Sequence, residues 1–208
     1  MNIVGFTGYA RSGKSTAAEA LRASAGYTIL SFADPIKELL VRLDPPLVPP
    51  APLRTPRVPS PRLSTLLRYG TEGRSRTLEQ LKSDETFGPA LRVWLQNLGV
   101  GARTVLGPDV WVNALLARWA DLSAKAEGAA LGTMLPIVIP DVRFPNERDA
   151  IHRLGGRVIR IVREGTGPAN DHVSELPLDH TDDAVYQNEE TTIEEFQREV
   201  MRVVLRSC

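Results

Sequence analysis

The residues with the clearest chemical potential form one run near the N-terminus. The run fits the pattern G-x-x-x-x-G-K-[ST], in which backbone N–H groups converge on a bound phosphate. Its residues are Gly8, Tyr9, Ala10, Arg11, Ser12, Gly13, Lys14, Ser15 and Thr16. The Lys14 ammonium would reach the β- and γ-phosphates of a nucleoside triphosphate, and the Ser15 hydroxyl would join the oxygen ligands of Mg²⁺. The pattern therefore predicts a phosphate-binding loop.

Both flanks of this loop have the composition that the pattern requires. Residues 2–7 are mostly apolar and predict a buried strand, whereas residues 14–22 predict a helix, whose N-terminus adds partial positive charge at the loop. A strand, a glycine-rich loop and a helix in this order favour a phosphate site. The alternative is a chance turn rich in glycine and serine.

Composition limits the classes of function. The chain has 208 residues and a formal net charge of zero, so it offers no general positive field for nucleic acid. No apolar run approaches the ~20 residues that a membrane-spanning helix needs, and no signal peptide is indicated. The single cysteine, Cys208, excludes a disulfide within the chain. We therefore expect a cytoplasmic protein whose partners include neither a membrane nor a nucleic acid.

Strands and helices alternate along the sequence, which predicts an α/β fold with a parallel sheet and helices on both faces. With a phosphate loop after the first strand, the prediction is a single P-loop domain over residues 1–208. The predicted strands are 2–7, 27–32, 135–140, 157–163 and 184–188. The predicted helices are 14–22, 34–42, 63–69, 76–82, 87–98, 110–125, 146–154 and one that follows Thr192.

Several helix ends and faces are predicted from single residues. Asp34 is expected to cap the second helix, the glycines of 99–101 to end the helix that starts at residue 87, and Thr192 with Glu195 to form a capping box. Apolar spacing also predicts core faces. These faces are Ile36, Leu39, Leu40 and Leu43; Leu91, Trp94, Leu95 and Leu98; and Ile193, Phe196, Val200, Val203 and Val204.

Two segments interrupt the alternation. Residues 44–62 contain eight of the 16 prolines, which predicts an extended and mobile insertion, either a linker or surface loop or a PxxP segment for a partner. Residues 164–178 are polar, with glycines at 165 and 167, and predict a mobile loop. Such a loop could close over a bound nucleotide as a lid that excludes water.

Charged residues follow the third and fourth predicted strands. Ligands of open α/β sheets bind outside the carboxyl ends of the strands. Asp141 is therefore predicted to contribute to a Mg²⁺ shell or to orient water, and Arg11, Arg143 and Arg163 to neutralise phosphate charge. The alternatives are that Asp141 caps the helix that follows and that Arg163 pairs with a nearby surface carboxylate.

Several stretches resemble those of the phage deoxynucleoside monophosphate kinases. The most specific is 139–147, Ile-Pro-Asp-Val-Arg-Phe-Pro-Asn-Glu, followed in the same order by His172-Val173-Ser174-Glu175. The other matching stretches are 8–16, 33–37, 95–99, 109–112 and 158–163. The resemblance covers most of the chain outside the Pro-rich insertion.

The resemblance implies ATP-dependent phosphorylation of a deoxynucleoside monophosphate to the diphosphate, on a P-loop fold similar to nucleoside monophosphate kinases. Residues 8–16 would hold ATP, Asp141 and Arg143 would face the reacting phosphates, and residues 63–126 would form a helical, acceptor-binding part. The implied acceptor-site residues are Asp34, Ile36, Lys37, Arg92, Gln96, Gly99, Trp111 and Arg143. The family has a Thr and an acidic residue after the glycine at Gly99, whereas Val100 and Gly101 follow here, so the accepted base is left open.

Other interpretations stay open. Lys37 could be a solvated surface charge, and Trp111 could be a core residue. Arg92 and Gln96 could form the solvent-facing side of an amphipathic helix. The alternative functions are a P-loop kinase for a nucleoside or a coenzyme precursor, and a non-kinase module that uses ATP as a switch. Exposed Leu and Trp side chains in the acceptor-side helices would suit a homodimer.

Overall fold

The structure is a computed structural model, which describes residues 3–50, 59–69, 74–126, 133–167, 183–189 and 192–205. The strands are β1 (Ile3–Thr7), β2 (Thr28–Ile29), β3 (Ile137–Ile139), β4 (Arg157–Arg163) and β5 (Ala184–Asn188). The helices are α1 (Lys14–Ala25), α2 (Ala33–Leu43), α3 (Leu63–Tyr69), α4 (Leu78–Lys82), α5 (Gly88–Leu106), α6 (Val110–Ala124), α7 (Pro145–Arg153) and α8 (Ile193–Leu205).

Within the described residues, five parallel strands form one sheet in the order β2-β3-β1-β4-β5. Every residue of β1 is buried, as expected for the central strand of a parallel sheet covered on both faces. The predicted α/β fold with a parallel sheet is confirmed.

The chain divides into two compact units. Residues 1–32 and 112–208 form the first unit, and residues 33–111 form the second. The first contains the sheet with α1, α7, α8 and most of α6, and the second contains α2, α3, α4 and α5. In the described part of the chain, no helix combines the length and the apolar character needed to cross a membrane.

Helices cover both faces of the sheet, and each face has its own core. One core joins α6 and α7 to the sheet through Ile3, Leu30, Phe32, Val112, Leu115, Trp119, Ile137, Ile139, Val142, Ala150, Ile151 and Val158. The other joins α1 and α8 to the opposite face through Val4, Phe6, Ala17, Ala18, Leu21, Tyr27, Val138, Ile159, Ile161, Phe196, Val200 and Val204. Side chains of β1 alternate between the two cores, because successive residues of a strand point to opposite faces.

The second strand is shorter than predicted. β2 comprises only Thr28–Ile29, although the Leu30 N–H still bonds to the carbonyl of Val138 at 3.0 Å. After Leu30 the chain leaves the ladder, because the Ser31 hydroxyl and the Phe32 N–H donate to a carboxylate of another loop.

The second helix begins earlier than predicted. It starts at Ala33, so Asp34 lies inside the first turn and is not the cap. An acidic residue there still interacts favourably with the helix dipole. Leu40 is fully buried, whereas Leu39 and Leu43 are exposed, so the predicted core face is only partly correct.

Helix α5 continues through the glycines that were predicted to end it. Its 19 residues include Gly99 and Gly101. A glycine inside a helix costs about 1 kcal/mol relative to alanine, which is less than the gain from burying a residue such as Leu91 in the core of the second unit. Trp94, predicted to be in the core, is 38% exposed.

The last helix is capped as predicted. The Thr192 N–H donates to the Glu195 carboxylate, and the Glu195 N–H donates to the Thr192 hydroxyl, at 3.1 and 3.3 Å. Phe196 is buried in the core, but Ile193 is 67% exposed. The spacing of Ile193 places it on the same side of α8 as Phe196 and Val200. Because it is the first residue of the helix, it remains exposed to solvent.

The described ends of the Pro-rich segment are anchored by burial and hydrogen bonds. Leu47 is fully buried and its N–H donates to the Pro61 carbonyl at 2.9 Å. Asp44 accepts bonds from the N–H and hydroxyl of Ser64 at 2.7 and 3.0 Å. The base of the insertion is therefore closed, while residues 51–58 lie outside the described residues.

Asp84 organises the start of α5. One carboxylate oxygen accepts the N–H groups of Thr86 and Phe87, each at 2.9 Å, and the other accepts the Arg76 guanidinium at 2.6 Å. Burial alone would raise the pKa of Asp84, but these hydrogen bonds outweigh it and hold the pKa below its usual value. The stabilisation is therefore present above the unfolded pKa of about 3.9 and disappears as pH falls through the lower folded pKa.

We predict that Asp84→Asn lowers the free energy of unfolding at neutral pH by about 1–3 kcal/mol, because the charge that holds Arg76 is lost. The loss should shrink as pH falls below the unfolded pKa of about 3.9 and through the lower folded pKa, where the wild-type carboxylate becomes protonated. Urea denaturation from neutral to acidic pH measures both the loss of stability and its decrease at low pH. The control is Asp121→Asn, which removes an exposed pair with Lys125 and should change stability by less than about 0.5 kcal/mol. Equal losses in the two variants would contradict the prediction.

Candidate active site

The loop between β1 and α1 has the backbone geometry of a phosphate cradle. Gly8 and Gly13 have φ angles of 131° and 111°, which side chains rarely adopt. A Cβ at Gly8 would also lie 2.2 Å from the Ile161 carbonyl oxygen of β4. Arg11 has φ 66°, an uncommon conformation for a residue with a side chain. The loop is therefore tightly wound against its neighbouring strand.

Polar groups inside the loop suit a bound phosphate. The Lys14 ammonium donates to the Tyr9 carbonyl at 2.5 Å, which folds the side chain back along the loop. Ser12 is fully buried, and its hydroxyl has no hydrogen-bond partner among the described residues. Ser15 and Thr16 lie in the first turn of α1, where the N–H groups that precede the helical ladder point outward.

The strands bring the other charged candidates to the edge from which this loop emerges. β1 lies between β3 and β4, and all three are parallel, so their carboxyl ends share one edge. Asp141 and Arg143 follow β3, and Arg163 is the last residue of β4. The Arg11, Arg143 and Arg163 side chains are all exposed, which suits contact with a ligand. The structure therefore gathers the phosphate loop and these residues in the first unit.

Asp141 joins two loops of this edge. Its carboxylate accepts the Ser31 hydroxyl at 2.5 Å and the Phe32 N–H at 3.1 Å. The alternative that Asp141 caps α7 is wrong. The N-cap of α7 is Phe144, and the carboxylate of Glu147, in the first turn, accepts the N–H groups of Arg143 and Phe144 at 2.8 and 3.0 Å.

The sequence predictions missed Glu147 and Asn188. Glu147 is 3% exposed, and its bond to the Arg143 backbone fixes the loop after β3. Its signal in the sequence is an acidic residue in the first turn of a helix that begins at Pro145. Asn188 contacts the phosphate loop, although 176 residues separate it from its partner Ser12. Its only signal is a position at the carboxyl end of the last strand.

Of the residues expected at the acceptor site, all except Arg143 lie in the second unit, whereas Arg143 lies in the first. Ile36 on α2 approaches Gly99 on α5, where a Cβ would be 3.4 Å from the Ile36 side chain. The indole N–H of Trp111 donates to the Gly99 carbonyl at 2.8 Å, and Trp111 is buried. Arg92, Gln96 and Gly99 lie on one side of α5, because Gln96 follows Arg92 by four residues and Gly99 follows Gln96 by three.

Lys37 takes part in a charge cluster of the second unit. Its ammonium lies 2.9 Å from the Glu79 carboxylate and 3.9 Å from that of Asp34. Burial would raise the pKa of Glu79, but its bond to Lys37 and the charge of Lys82 lower it overall. Lys37 is therefore a partly buried, paired side chain, and Glu79 is an acidic neighbour that the sequence did not single out.

A hydroxyl and a carboxylate are the groups of this chain predicted to face Mg²⁺. Within the described ranges, no group of three or more His, Cys, Asp or Glu side chains is placed to hold a metal ion. Mg²⁺ commonly takes one or two protein ligands and completes its shell with phosphate oxygens and water. Ser15 and Asp141 are the predicted protein groups.

Comparisons with known proteins agree with the resemblance seen in the sequence. Residues 102–200 match the family model of deoxynucleotide monophosphate kinase. A protein of Acanthamoeba polyphaga mimivirus, provisionally named a deoxynucleotide monophosphate kinase, is 31% identical over 214 residues, covering 98% of this chain and 96% of the relative.

Solved structures of other kinases are more distant. A sugar kinase from Janibacter is 14% identical, with a TM-score of 0.41. The match covers 99% of this chain and 95% of the sugar kinase chain. A dephospho-CoA kinase from Campylobacter jejuni is 14% identical, with a TM-score of 0.44. The match covers 98% of this chain and 96% of the dephospho-CoA kinase chain.

We predict that Gly8→Ala disrupts the loop. The new Cβ would meet the Ile161 carbonyl, so the free energy of unfolding should fall by more than about 1 kcal/mol, and ATP binding measured by calorimetry should be lost. The control is Gly101→Ala in α5, where a Cβ meets nothing within 4 Å and stability should rise by about 0.5–1 kcal/mol. Wild-type ATP affinity in Gly8→Ala would refute the assigned loop geometry.

Proposed function

The chain belongs to the deoxynucleotide monophosphate kinase family, and from this premise we propose that it transfers the γ-phosphoryl group of ATP to a deoxynucleoside monophosphate. The products would be ADP and the deoxynucleoside diphosphate. The chain is a kinase and so a phosphotransferase by its family. The observation that carries the finer proposal is the wound loop of residues 8–16 at the carboxyl edge of the central strand.

The loop supplies the donor side of the reaction in this proposal. Lys14 would exchange its bond to the Tyr9 carbonyl for the β- and γ-phosphate oxygens of ATP. The buried Ser12 hydroxyl and the N–H groups from Gly13 to Thr16 would bind the same phosphates. Mg²⁺, when bound, would neutralise the β- and γ-phosphates, with Ser15 and Asp141 as the groups of this chain that face it.

Arginines at the same edge would stabilise the charge of the transferring group. Phosphoryl transfer needs little covalent help from the protein, so positioning and charge stabilisation supply most of the catalysis. Arg11, Arg143 and Arg163 are exposed at the edge of the first unit, and a guanidinium can bind two phosphate oxygens at once. Each such contact is worth up to several kcal/mol of transition-state stabilisation.

The second unit would bind the acceptor. Arg92, Gln96 and Gly99 share one side of α5, and we assign the acceptor phosphate to the Arg92 guanidinium and the base to the Gln96 amide. Asp34, Ile36 and Lys37 on α2 would complete the site, with Trp111 holding α5 through its bond to Gly99.

The loop at 164–178 is proposed as the lid that excludes water from the reacting phosphates. Only residues 164–167 of it are described. There the Thr166 hydroxyl and N–H both donate to the Arg163 carbonyl, at 2.6 and 3.2 Å. Residues 168–178, with the His172 to Glu175 match, lie outside the described residues.

A coupled assay of ADP release tests the function. ATP and Mg²⁺ are supplied with each of the four common deoxynucleoside monophosphates, with AMP, and with no acceptor. We expect turnover with at least one deoxynucleotide and none without acceptor. Lys14→Ala should abolish this turnover and leave the circular dichroism spectrum unchanged, whereas Lys125→Ala, which removes an exposed cation, should retain it. Hydrolysis of ATP that is indifferent to acceptor would overturn the proposal in favour of an ATP switch.

Arg92→Ala tests the acceptor assignment. Loss of a charge-assisted hydrogen bond costs about 1.5–3 kcal/mol, so KM for the deoxynucleotide should rise about 10- to 100-fold while KM for ATP stays constant. The control is Arg42→Ala, since Arg42 is exposed and pairs with Glu38. Steady-state kinetics with each substrate varied in turn measure both constants. An unchanged KM for every acceptor would remove Arg92 from the site.

A further inference from the structure

A side chain from the last strand holds the phosphate loop from behind. The Asn188 amide nitrogen donates to the Ser12 carbonyl oxygen at 2.7 Å. A Cβ built on Gly13 would lie 2.9 Å from this same nitrogen and 2.9 Å from the Phe196 ring. The second half of the loop therefore lies directly against β5 and α8.

The bond at the Ser12 carbonyl also fixes the direction of the next N–H. A trans peptide is planar, with its C=O and N–H pointing to opposite sides, and the described residues contain no cis peptide bond. With the Ser12 carbonyl turned to Asn188, the Gly13 N–H must point away from Asn188. Gly13 is the N-cap of α1, where N–H groups that lack helical partners bind anions.

Asn188 is itself held firmly. It is the final residue of β5, in register with Arg163 of β4. α8 packs on β5 through the Tyr186 and Phe196 rings, whose centroids are 5.6 Å apart. The backbone that carries Asn188 is thus held in the sheet, and the Ser12–Gly13 peptide is the part that a substitution at 188 would release.

We propose that Asn188 is a positioning residue for phosphate binding, which acts through the Ser12–Gly13 peptide and does not touch the nucleotide. The inference rests on the proposed function only in that the loop binds ATP, and it is independent of the acceptor. It requires a donor at position 188, because the atom it faces is a carbonyl oxygen. An aspartate has the same shape but only acceptors when ionised, so it would repel that carbonyl and turn the peptide.

A purely structural role makes a different prediction. If the bond only attaches β5 and α8 to the sheet, its loss lowers the melting temperature but leaves the nucleotide affinity of the folded protein unchanged. If the bond aims the Gly13 N–H, affinity falls in folded protein, well below the melting temperature. Calorimetry of ATP binding without Mg²⁺ or acceptor separates the two, because it needs no turnover.

The variants are Asn188→Asp and Asn188→Ala, and the control is Gln187→Ala, an exposed amide on the preceding residue of β5. We expect ATP Kd to rise about tenfold or more in both Asn188 variants, since about 1.4 kcal/mol corresponds to tenfold and a hydrogen bond is worth a similar amount. Asn188→Asp should bind no better than Asn188→Ala, and Gln187→Ala should bind as wild type does. Kd within twofold of wild type in Asn188→Asp overturns the proposal.

The wild-type protein gives a second measurement that no folding defect can obscure. In ¹⁵N NMR spectra, ATP should shift the Gly13 backbone amide together with the Asn188 side-chain amide, and leave the Gln187 side-chain amide in place. A shift of Gly13 without any shift of Asn188 overturns the inference. A wild-type protein that binds ATP but phosphorylates no deoxynucleotide would refute the proposed function and leave the Asn188 result to stand on its own.

Discussion

The close approach of the phosphate loop to β4 is the constraint on which the rest of the site depends. At Gly8 the backbone passes so near the Ile161 carbonyl that no side chain fits between them. The loop can take this path only because β1 lies beside β4 in the centre of the sheet. The same strand order brings Asp141, Arg143 and Arg163 to the edge where the loop turns. The central position of β1 therefore determines which charged residues lie near the phosphate loop.

The loop stores strain that its surroundings must offset. Arg11 adopts a left-handed backbone conformation, which costs of order 1–3 kcal/mol for a residue with a side chain. The Ser12 hydroxyl is buried without a partner among the described residues, a further cost of about 1–3 kcal/mol. Contacts from β4, β5 and α8 hold the loop in this state. In the proposed function, phosphate binding would compensate for this cost by engaging the N–H groups at the start of α1.

The predictable parts of the molecule are those that local chemistry determines. The phosphate pattern, the alternating elements and the Thr192 capping box all depend on residues within a few positions of one another, and all were found from sequence. Gly99 and Gly101 misled the prediction because a glycine weakens a helix only modestly, and packing of α5 outweighs that effect. The contact of Asn188 with Ser12 joins residues 176 positions apart. The sequence around either residue does not indicate such a contact.

The two units contain different candidate residues for the proposed reaction. The first unit has a wound loop, a buried hydroxyl and exposed arginines at one edge, and these support the proposed phosphate site. The second has an exposed arginine and an amide on one side of α5, which suit an acceptor but do not name its base. Family membership supplies the link to a deoxynucleotide. The geometry of the first unit therefore supports the proposed phosphate site, and family membership supports the proposed acceptor.

Following the γ-phosphoryl group itself tests the proposed phosphoryl transfer most directly. ³¹P NMR of a mixture of protein, ATP, Mg²⁺ and a deoxynucleoside monophosphate identifies every phosphorus product. We expect equal amounts of ADP and deoxynucleoside diphosphate, with no accumulation of inorganic phosphate. ADP formed together with inorganic phosphate, at a rate that the acceptor does not change, would contradict this expectation.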